Sequence, residues 1–320
     1  ALDKESKKRK EKKIGNDLYS KLLELYDKCN QYNYINYPEF NYIYYKPIAS
    51  GSLCQIYKIN YNQKNSVLKT PAPFIRNSIK KGLSNITFLK DLLFYFNKYY
   101  YKLLNLIDID EFHKDILTHL DLQKESENMR LFYNIFKNID RIIIPEVYNI
   151  ENQNLIMSFE NGIKLFDIKD DDTYLEAILL LCSFTYVSIK NNVLHGDFHH
   201  GNFLFRKDDN NLKLIVLDFG IINKISNKES ELLLNLFELE YDDSDRNHFI
   251  SELFKIHNIQ CKTDKIRKSN IFEKVEIEKI PKIFITLFTI IKYFNKLNYD
   301  YTSLSIKLFN FMYKNKFIEV

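Results

Sequence analysis

The chain has 320 residues, a hydrophobic fraction of 45% and an aromatic fraction of 15%. This composition excludes an intrinsically disordered chain and is sufficient for one large domain or two lobes with a sizeable core. The formal net charge of +4 is too small to predict a nucleic-acid binder. The basic start, KESKKRKEKK (residues 4–13), is interpreted as a solvated terminus, with a nuclear signal or a peripheral contact with an anionic membrane as alternatives.

The cysteines indicate the redox compartment, and the apolar runs indicate whether a membrane span is expected. The four cysteines lie far apart and form no CxxC pair, which predicts a reducing intracellular compartment, cytoplasmic or organellar. Cys54 and Cys182 lie in apolar surroundings and are predicted to be core residues. No run of about 18 apolar residues is present, so no transmembrane helix is predicted. IFITLFTII (residues 283–291) is too short to span and is predicted to be a buried helix.

The first third of the chain is predicted to form helices around a small sheet. Residues 16–30 have a helical spacing of Leu and Tyr, whereas residues 42–70 are typical of three short strands. The first break between these strands is SGS, and the second, NYNQKN, indicates a hairpin. A helical pattern returns over residues 77–106 and again over residues 119–139. The apolar positions of the latter helix are Leu120, Met129, Leu131, Ile135 and Phe136.

The remaining elements alternate between strands and helices before becoming helical throughout. Residues 141–159 are predicted to be two strands around a turn, and residues 173–191 a mostly apolar helix. VLHGDFHHGNFLF (residues 193–205) and LKLIVLDFG (residues 212–220) predict strand, loop and strand, separated by the polar turn KDDNN. Helices alone are predicted from Ser226 onwards.

This order of elements predicts an α+β fold of two lobes, a small sheet-rich lobe followed by a larger helical lobe. The seam between them is expected near residues 159–164, and ligands favour such interlobe clefts. The predicted divisions are a basic extension and helix over residues 1–40, an N-terminal lobe over 41–160 and a C-terminal lobe over 161–320.

Polar residues at the ends of predicted strands point to phosphate chemistry. Asp197 and Asn202 bracket a loop between two strands, Asp218 follows an apolar strand in VLDFG, and Lys69 lies near the end of another strand in SVLKT. The combination of DxxxxN with a later DFG is specific, and together with a strand lysine it forms the set that a kinase-type phosphotransferase requires.

Each of these residues has an expected role. Asp218 would bind Mg²⁺ that bridges the phosphates of ATP, and Asn202 would hold a second metal ion through a neutral oxygen. Asp197 would orient the attacking hydroxyl or water and accept its proton. Lys69 would contact the α- and β-phosphates, and Glu125, on a predicted helix, would hold that lysine.

Two other interpretations of the histidine-rich loop compete with this one. His195, His199 and His200 could be ligands of a zinc ion. Adjacent loop side chains such as His199 and His200 usually diverge, however, and His195 precedes Asp197 as a kinase loop histidine does. The loop could also be a satisfied polar turn without chemistry.

Several blocks, in order, resemble the UbiB/ADCK (aarF domain-containing) family of atypical kinases. KPIASGSLCQIYKI is similar to the family's PIAAASIAQVHRA segment, and SVLKTPAPFIRNSIKKGL to its AVKVQHPGVRE strand and the following helix. LDLQKESENMRLF is similar to LDYRREAANARRF. IIIPEVYNIENQNLIMSFENG is similar to VPEVYDELSTERVLVMEWIDG, and HGDFHHGNFLF with LDFG completes the set. The resemblance covers roughly residues 45–304.

The resemblance implies a bilobal protein-kinase-like fold with a small antiparallel N-terminal sheet. It implies the roles given above for Lys69, Glu125, Asp197, Asn202 and Asp218, with ATP and Mg²⁺ bound. A loop that replaces the usual glycine-rich loop corresponds to Ala49, Ser50, Gly51 and Ser52. Residues 157–162, including Met157 and Phe159, would line the adenine edge. A link to coenzyme Q or other isoprenoid-lipid metabolism is also implied.

The sequence departs from the family at three places. The KxGQ element is degenerate, since KIGN (residues 13–16) lies too close to the phosphate-loop segment. The acidic residue that precedes the family's LD dipeptide is His119, and the hinge glutamate is Ser158. Because the first two features interact in the family, their joint loss predicts that the lid over the substrate cleft is missing or rebuilt.

Three functions follow as hypotheses. The first is an Mg²⁺-dependent atypical kinase or ATPase acting on an unknown protein, lipid or small-molecule acceptor. The second is a small-molecule kinase of the aminoglycoside or choline type, which HGDFHHGN also fits. The third is a pseudokinase scaffold, against which the complete Lys, Glu, Asp, Asn and Asp set argues.

Overall fold

The structure is a computed structural model that describes residues 41–42, 47–51, 53–72, 75–96, 116–118, 120–151, 153–208, 211–237, 243–257 and 301–318. Strands dominate the first part of this described chain and helices the last, which confirms the predicted α+β class. The predicted helices over residues 16–30 and 283–291 lie outside the described residues, as do KIGN and His119.

The strands in chain order are β1 (Asn41–Tyr42), β2 (Ala49–Ser50), β3 (Cys54–Tyr61), β4 (Lys64–Pro71), β5 (Ile142–Ile143), β6 (Val147–Glu151), β7 (Asn154–Ser158), β8 (Val193–His195), β9 (Phe203–Asp208), β10 (Asn211–Val216) and β11 (Ile222–Lys224). The helices are α1 (Ile75–Phe96), α2 (Leu122–Phe136), α3 (Asp171–Lys190), α4 (Asn227–Asn235), α5 (Asp243–Ile256) and α6 (Tyr301–Lys314).

The first sheet has the strand order β1-β3-β4-β7-β6, with β2 also paired to β3, and its pairings are antiparallel. Asn62 and Gln63 join β3 to β4 with φ angles of 51° and 65°. Two central residues with positive φ characterise the two-residue hairpin turns that match the twist of the flanking strands. The hairpin predicted from NYNQKN is therefore confirmed.

The two faces of this sheet carry separate apolar clusters because successive side chains in a strand point to opposite faces. One face of β3, β4 and β7 contributes to the main core, through Cys54, Val67, Leu155 and Met157. The other face forms a smaller cluster of Tyr57, Ile59, Leu68 and Ile156. Lys69, two residues from Val67, belongs to the face of the main core.

Helix α2 packs one apolar face into the main core. Asp121 caps its N-terminus by accepting a hydrogen bond from the Lys124 N–H at 3.0 Å, which satisfies an otherwise unpaired donor. Of its apolar residues, Leu131 is 36% exposed, whereas Phe132 is fully buried. Phe132 lies three residues after Met129, on the buried face, and Leu131 lies off that face.

The predicted seam, residues 159–164, lies against strand β9. Ile163 and Phe205 exchange both backbone hydrogen bonds at 2.8 Å. A Cβ at Gly162 would lie 2.8 Å from the Phe205 carbonyl oxygen, so this close approach requires glycine. Ser158, which stands where the family has glutamate, donates its hydroxyl to Glu160 at 2.8 Å.

Helix α3 is the central helix of the main core, with an uninterrupted buried run from Ala177 to Ile189. By length and composition it is the one candidate for a membrane span among the described helices, and 72% of its apolar window is buried inside the protein. Cys182 is fully buried on it, and Cys54 is buried on β3, as predicted.

The predicted strand–loop–strand unit is present as β8, a loop, β9 and β10. β9 and β10 form an antiparallel hairpin, β5 pairs parallel to β10, and β11 pairs antiparallel to β8. The short strand β11 was not predicted, and residues 141–159, predicted as two strands, form the three strands β5, β6 and β7. From Ser226 onwards the regular elements of the described chain are helices, and a capping box of Ser226 and Glu229 begins the first of them.

Candidate active site

Lys69 lies inside β4, two residues before the strand ends. It is 5% exposed, and its Nζ donates to Glu125 Oε1 at 2.7 Å and to Asp218 Oδ2 at 2.8 Å. These partners lie 56 and 149 positions away along the chain. The structure therefore brings together the lysine and two carboxylates that the sequence assigned to one site.

Glu125 lies in the first turn of α2 and is buried. Its Oε1 accepts from Lys69 and, at 3.5 Å, from the backbone N–H of Phe219. Its Oε2 is buried without a hydrogen-bond partner in the described part of the chain. One carboxylate oxygen thus links the strand lysine to the segment that follows β10, and the other stays available to a donor.

The charges of this cluster shift the pKa values of its members. Burial alone would raise the pKa of Asp218, but the Lys69 ammonium and the Gly220 N–H lower it to about 2. Burial alone would lower the pKa of Lys69, and the charges of Glu125 and Asp218 instead raise it above its usual value. Burial raises the pKa of Glu125 despite its ion pair with Lys69.

His195 holds backbone atoms on both sides of the site. Its Nδ1 accepts from the Asp197 N–H at 3.2 Å, and its Nε2 contacts the Asp218 carbonyl oxygen. This geometry assigns the proton to Nε2, and burial lowers the pKa of His195, which favours the neutral ring. Both ring nitrogens of His195 are engaged, so a zinc ion at either one would displace a contact, and the geometry does not support the zinc interpretation.

Asp197 and Asn202 meet across the loop between β8 and β9. The Asn202 side chain donates to the Asp197 carbonyl oxygen at 2.9 Å and to its Oδ2 at 3.3 Å. His199 Nε2 lies 3.5 Å from the same Oδ2. His200 instead packs its ring against Phe166, at 5.0 Å between centroids, so the two neighbouring histidines serve different contacts.

The segment of Asp218, Phe219 and Gly220 is held by its surroundings. The Gly220 N–H donates to Asp218 Oδ1 at 2.9 Å, and the Phe219 ring lies 4.9 Å from Phe132 and 5.3 Å from His195. The buried Asn128 donates to the Phe219 carbonyl oxygen at 2.8 Å. Sequence reasoning missed Asn128, although its position three residues after Glu125 places both on one helix face.

The oxygen donors of this site fit Mg²⁺. Asp218 offers a carboxylate whose side chain is 32% exposed. Asn202 turns its Nδ2 towards Asp197, and its Oδ1 accepts no hydrogen bond from the described residues. Mg²⁺ prefers such oxygen ligands and keeps waters or phosphates for its remaining positions. Over the described chain, no group of three or more His, Cys, Asp or Glu residues forms a metal cage.

The residues predicted to contact the nucleotide differ in their exposure. Ala49 and Ser50 are exposed and pair with Ile56 and Gln55 on β3, in a hairpin that Gly51 helps to close. Ser52 lies outside the described residues. Met157 is buried in the main core, and Phe159 is half-buried with the Lys58 ammonium 4.1 Å from its ring centroid. The nucleotide contacts of these residues stay predictions.

Residues 35–251 match the family described as the ABC1 atypical kinase-like domain. A probable protein kinase UbiB from Blochmanniella pennsylvanica is 27% identical over 270 residues, which are 78% of this chain and 49% of the relative. A probable serine/threonine-protein kinase, abkC, from Dictyostelium discoideum is 30% identical over 179 residues, 53% of this chain and 26% of the relative.

A solved structure supports the fold. The complex of Rv3197 with erythromycin, from Mycobacterium tuberculosis, aligns with a TM-score of 0.53 at 16% identity, over 84% of this chain and 74% of that one. The chain spans half or less of the length of the two curated relatives. Since the family match covers more than half of the sequence, the chain belongs to the ABC1 atypical kinase-like domain family and has its protein-kinase-like fold.

Proposed function

We propose that the chain binds ATP with Mg²⁺ and transfers the γ-phosphoryl group to an acceptor or to water. The observation that carries this proposal is the contact of Lys69 with both Glu125 and Asp218, at 2.7 and 2.8 Å. A buried ammonium shared by two carboxylates, one of them partly exposed, suits an exchange of partners when a polyanion enters.

Lys69 would keep its ion pair with Glu125 and exchange its contact with Asp218 for contacts with the phosphates. An ammonium has three donors, so it can hold the helix carboxylate and reach the α- and β-phosphates together. Asp218 and Asn202 would then hold Mg²⁺, which supplies charge neutralisation of the phosphates. An aspartate is ionised at neutral pH, as a metal ligand requires, and before the nucleotide enters the Lys69 ammonium lowers the pKa of Asp218 further.

Asp197 would accept the proton of the attacking hydroxyl. Its side chain is 41% exposed, so an acceptor can reach it, while Asn202 and His199 contact its Oδ2. His195, held between the backbones of Asp197 and Asp218, fixes the distance between the base and the metal-binding residue. A positioned base of this kind contributes about 10² to 10⁴ in rate.

The acceptor is the less defined part of the proposal. The resemblance to UbiB/ADCK proteins favours a coenzyme Q precursor or another isoprenoid lipid. Nucleotide contacts by Ala49, Ser50, Gly51 and Phe159 belong to the same proposal, with the adenine lying between this loop and the seam.

A turnover assay with γ-labelled ATP tests the function. We expect Mg²⁺-dependent release or transfer of phosphate by the wild type, and a loss of about 10² to 10⁴ in rate for Asp197→Asn. Asp140→Asn, a change of the same kind at an exposed residue, should retain the wild-type rate.

The products distinguish the competing functions. Transfer to an isoprenoid lipid or to water supports the proposal, whereas transfer to a soluble aminoalcohol alone would favour the small-molecule kinase. A wild type without turnover, or an Asp197→Asn variant with the wild-type rate, would refute a catalytic role for Asp197 and favour the pseudokinase scaffold.

A further inference from the structure

We propose that Asn128 is a positioning residue for Asp218, acting through the peptide group that joins Phe219 to Gly220; this inference rests on the proposed function. Asn128 is 4% exposed, and its Nδ2 donates to the Phe219 carbonyl oxygen at 2.8 Å. The same peptide group carries the Gly220 N–H, which donates to Asp218 Oδ1 at 2.9 Å. Asn128 and the Asp218 carboxylate therefore hold opposite ends of one rigid plane.

The preceding peptide group is held in the same manner. Its N–H, on Phe219, faces Glu125 Oε1 at 3.5 Å, and its carbonyl oxygen, on Asp218, contacts His195 Nε2. Two successive peptide planes are thus fixed at both ends, by partners from α2, from β8 and from Asp218 itself. Of the hydrogen bonds that Asn128 and Glu125 make from α2 to this segment, that of Asn128 is the shorter, at 2.8 Å against 3.5 Å.

The hydrogen bond from the Gly220 N–H restrains the Asp218 carboxylate at the oxygen that Lys69 does not contact. Lys69 binds Oδ2, whereas the Gly220 N–H binds Oδ1, so the two contacts together set the rotation of the carboxylate. When Lys69 turns to phosphate, only the Gly220 contact remains of these two. The plane that Asn128 holds would then be the main support of the metal-binding orientation.

The chemistry of Asn128 is specific. A carbonyl oxygen needs a donor, and the amide of asparagine supplies one without charge. Aspartate at this position has the same size but would place an acceptor against the carbonyl, and alanine would leave the carbonyl unpaired. A buried unpaired carbonyl is costly, so the peptide plane is expected to rotate towards another donor.

The test measures the Mg²⁺ concentration that half-saturates ATP binding, together with ATP affinity in EDTA. We expect Asn128→Ala to raise the half-saturating Mg²⁺ concentration about tenfold and to change ATP affinity in EDTA less than twofold. A purely structural loss would weaken both measurements alike. Asn134→Ala, at an exposed asparagine of the same helix, should match the wild type in both.

Asn128→Leu gives the second variant should the alanine variant fail to fold, because it fills the buried site with a branched side chain that carries neither a donor nor a charge. An unchanged Mg²⁺ requirement in either folded variant would overturn the inference while ATP binding by the wild type stands. A wild type whose ATP binding does not depend on Mg²⁺ would overturn the proposed function, and this inference with it.

Discussion

At the scale of single residues, the site is a cluster in which two carboxylates share one ammonium. Lys69 and Glu125 are both buried, so the charge of each is stabilised by the opposite charge of the other. Removing one partner of a buried ion pair leaves the other charge uncompensated and typically costs about 3–5 kcal/mol. Exposed pairs contribute far less, about 0–1 kcal/mol, because water screens them.

We therefore predict that Lys69→Met lowers the free energy of unfolding by about 3 kcal/mol. Adding Glu125→Gln to this variant should restore more than 1 kcal/mol, because the unpaired carboxylate is removed. Urea unfolding of the single and double variants measures both effects.

The control for this prediction lies next to the site. Lys124 pairs with Glu127 at 3.0 Å on the same helix, with both side chains about half exposed. Lys124→Met should change the free energy of unfolding by less than about 1 kcal/mol. Equal losses for Lys69→Met and Lys124→Met would contradict the account of the buried cluster.

At the scale of elements, helix α2 places Glu125 and Asn128 in the site, and the segment that follows α2 contacts β10, α3 and α6. Arg141, between α2 and β5, is buried and donates to the Leu212 carbonyl oxygen at 2.7 Å and to Asn315 Oδ1 at 2.5 Å. It also pairs with Glu176 and lies 5.3 Å from the Phe311 ring centroid. One guanidinium therefore joins β10, α3 and α6.

We predict that Arg141→Met lowers the free energy of unfolding by about 3 kcal/mol, since carbonyl and carboxylate partners lose their donor. Arg141→Lys should recover only part of this loss, because an ammonium lacks the planar fork of donors. Thermal and urea unfolding provide the measurement.

Arg130→Met serves as the control, since Arg130 is exposed on α2. A loss for Arg141→Met no larger than that for Arg130→Met would show that Arg141 does not connect these elements.

At the scale of the whole molecule, patterns of local origin were predictable. The hairpin at Asn62 and Gln63 follows from turn chemistry, and the DxxxxN and DFG spacing located Asp197, Asn202 and Asp218 on loops after strands. These features depend on residues close together in the chain. The chemistry of phosphoryl transfer added Lys69 and Glu125 to this set, and the family resemblance implied the same residues.

Features that depend on distant packing were not predictable. Leu131 and Phe132 are both apolar, and only the direction from which α3 and the Phe219 segment pack decides that Phe132 is buried. The sequence does not distinguish Asn128 from an ordinary helix asparagine, because its partner, the Phe219 carbonyl oxygen, is brought beside it only by folding. The short strand β11 has no run long enough to predict a strand and depends on its partner β8, and the separate pairing of β5 with β10 likewise depends on a distant partner.

The most direct test of the central claim is paramagnetic broadening by Mn²⁺ added with ATP, because Mn²⁺ also takes oxygen ligands. If Asp218 and Asn202 hold one metal–nucleotide site, the amide resonance of Gly220 and the side-chain resonance of Asn202 should broaden most. The side-chain resonance of the exposed Asn134 should broaden far less, and Asp218→Asn should abolish the selectivity. Uniform broadening of the three resonances, or the same selectivity in Asp218→Asn, would contradict the account.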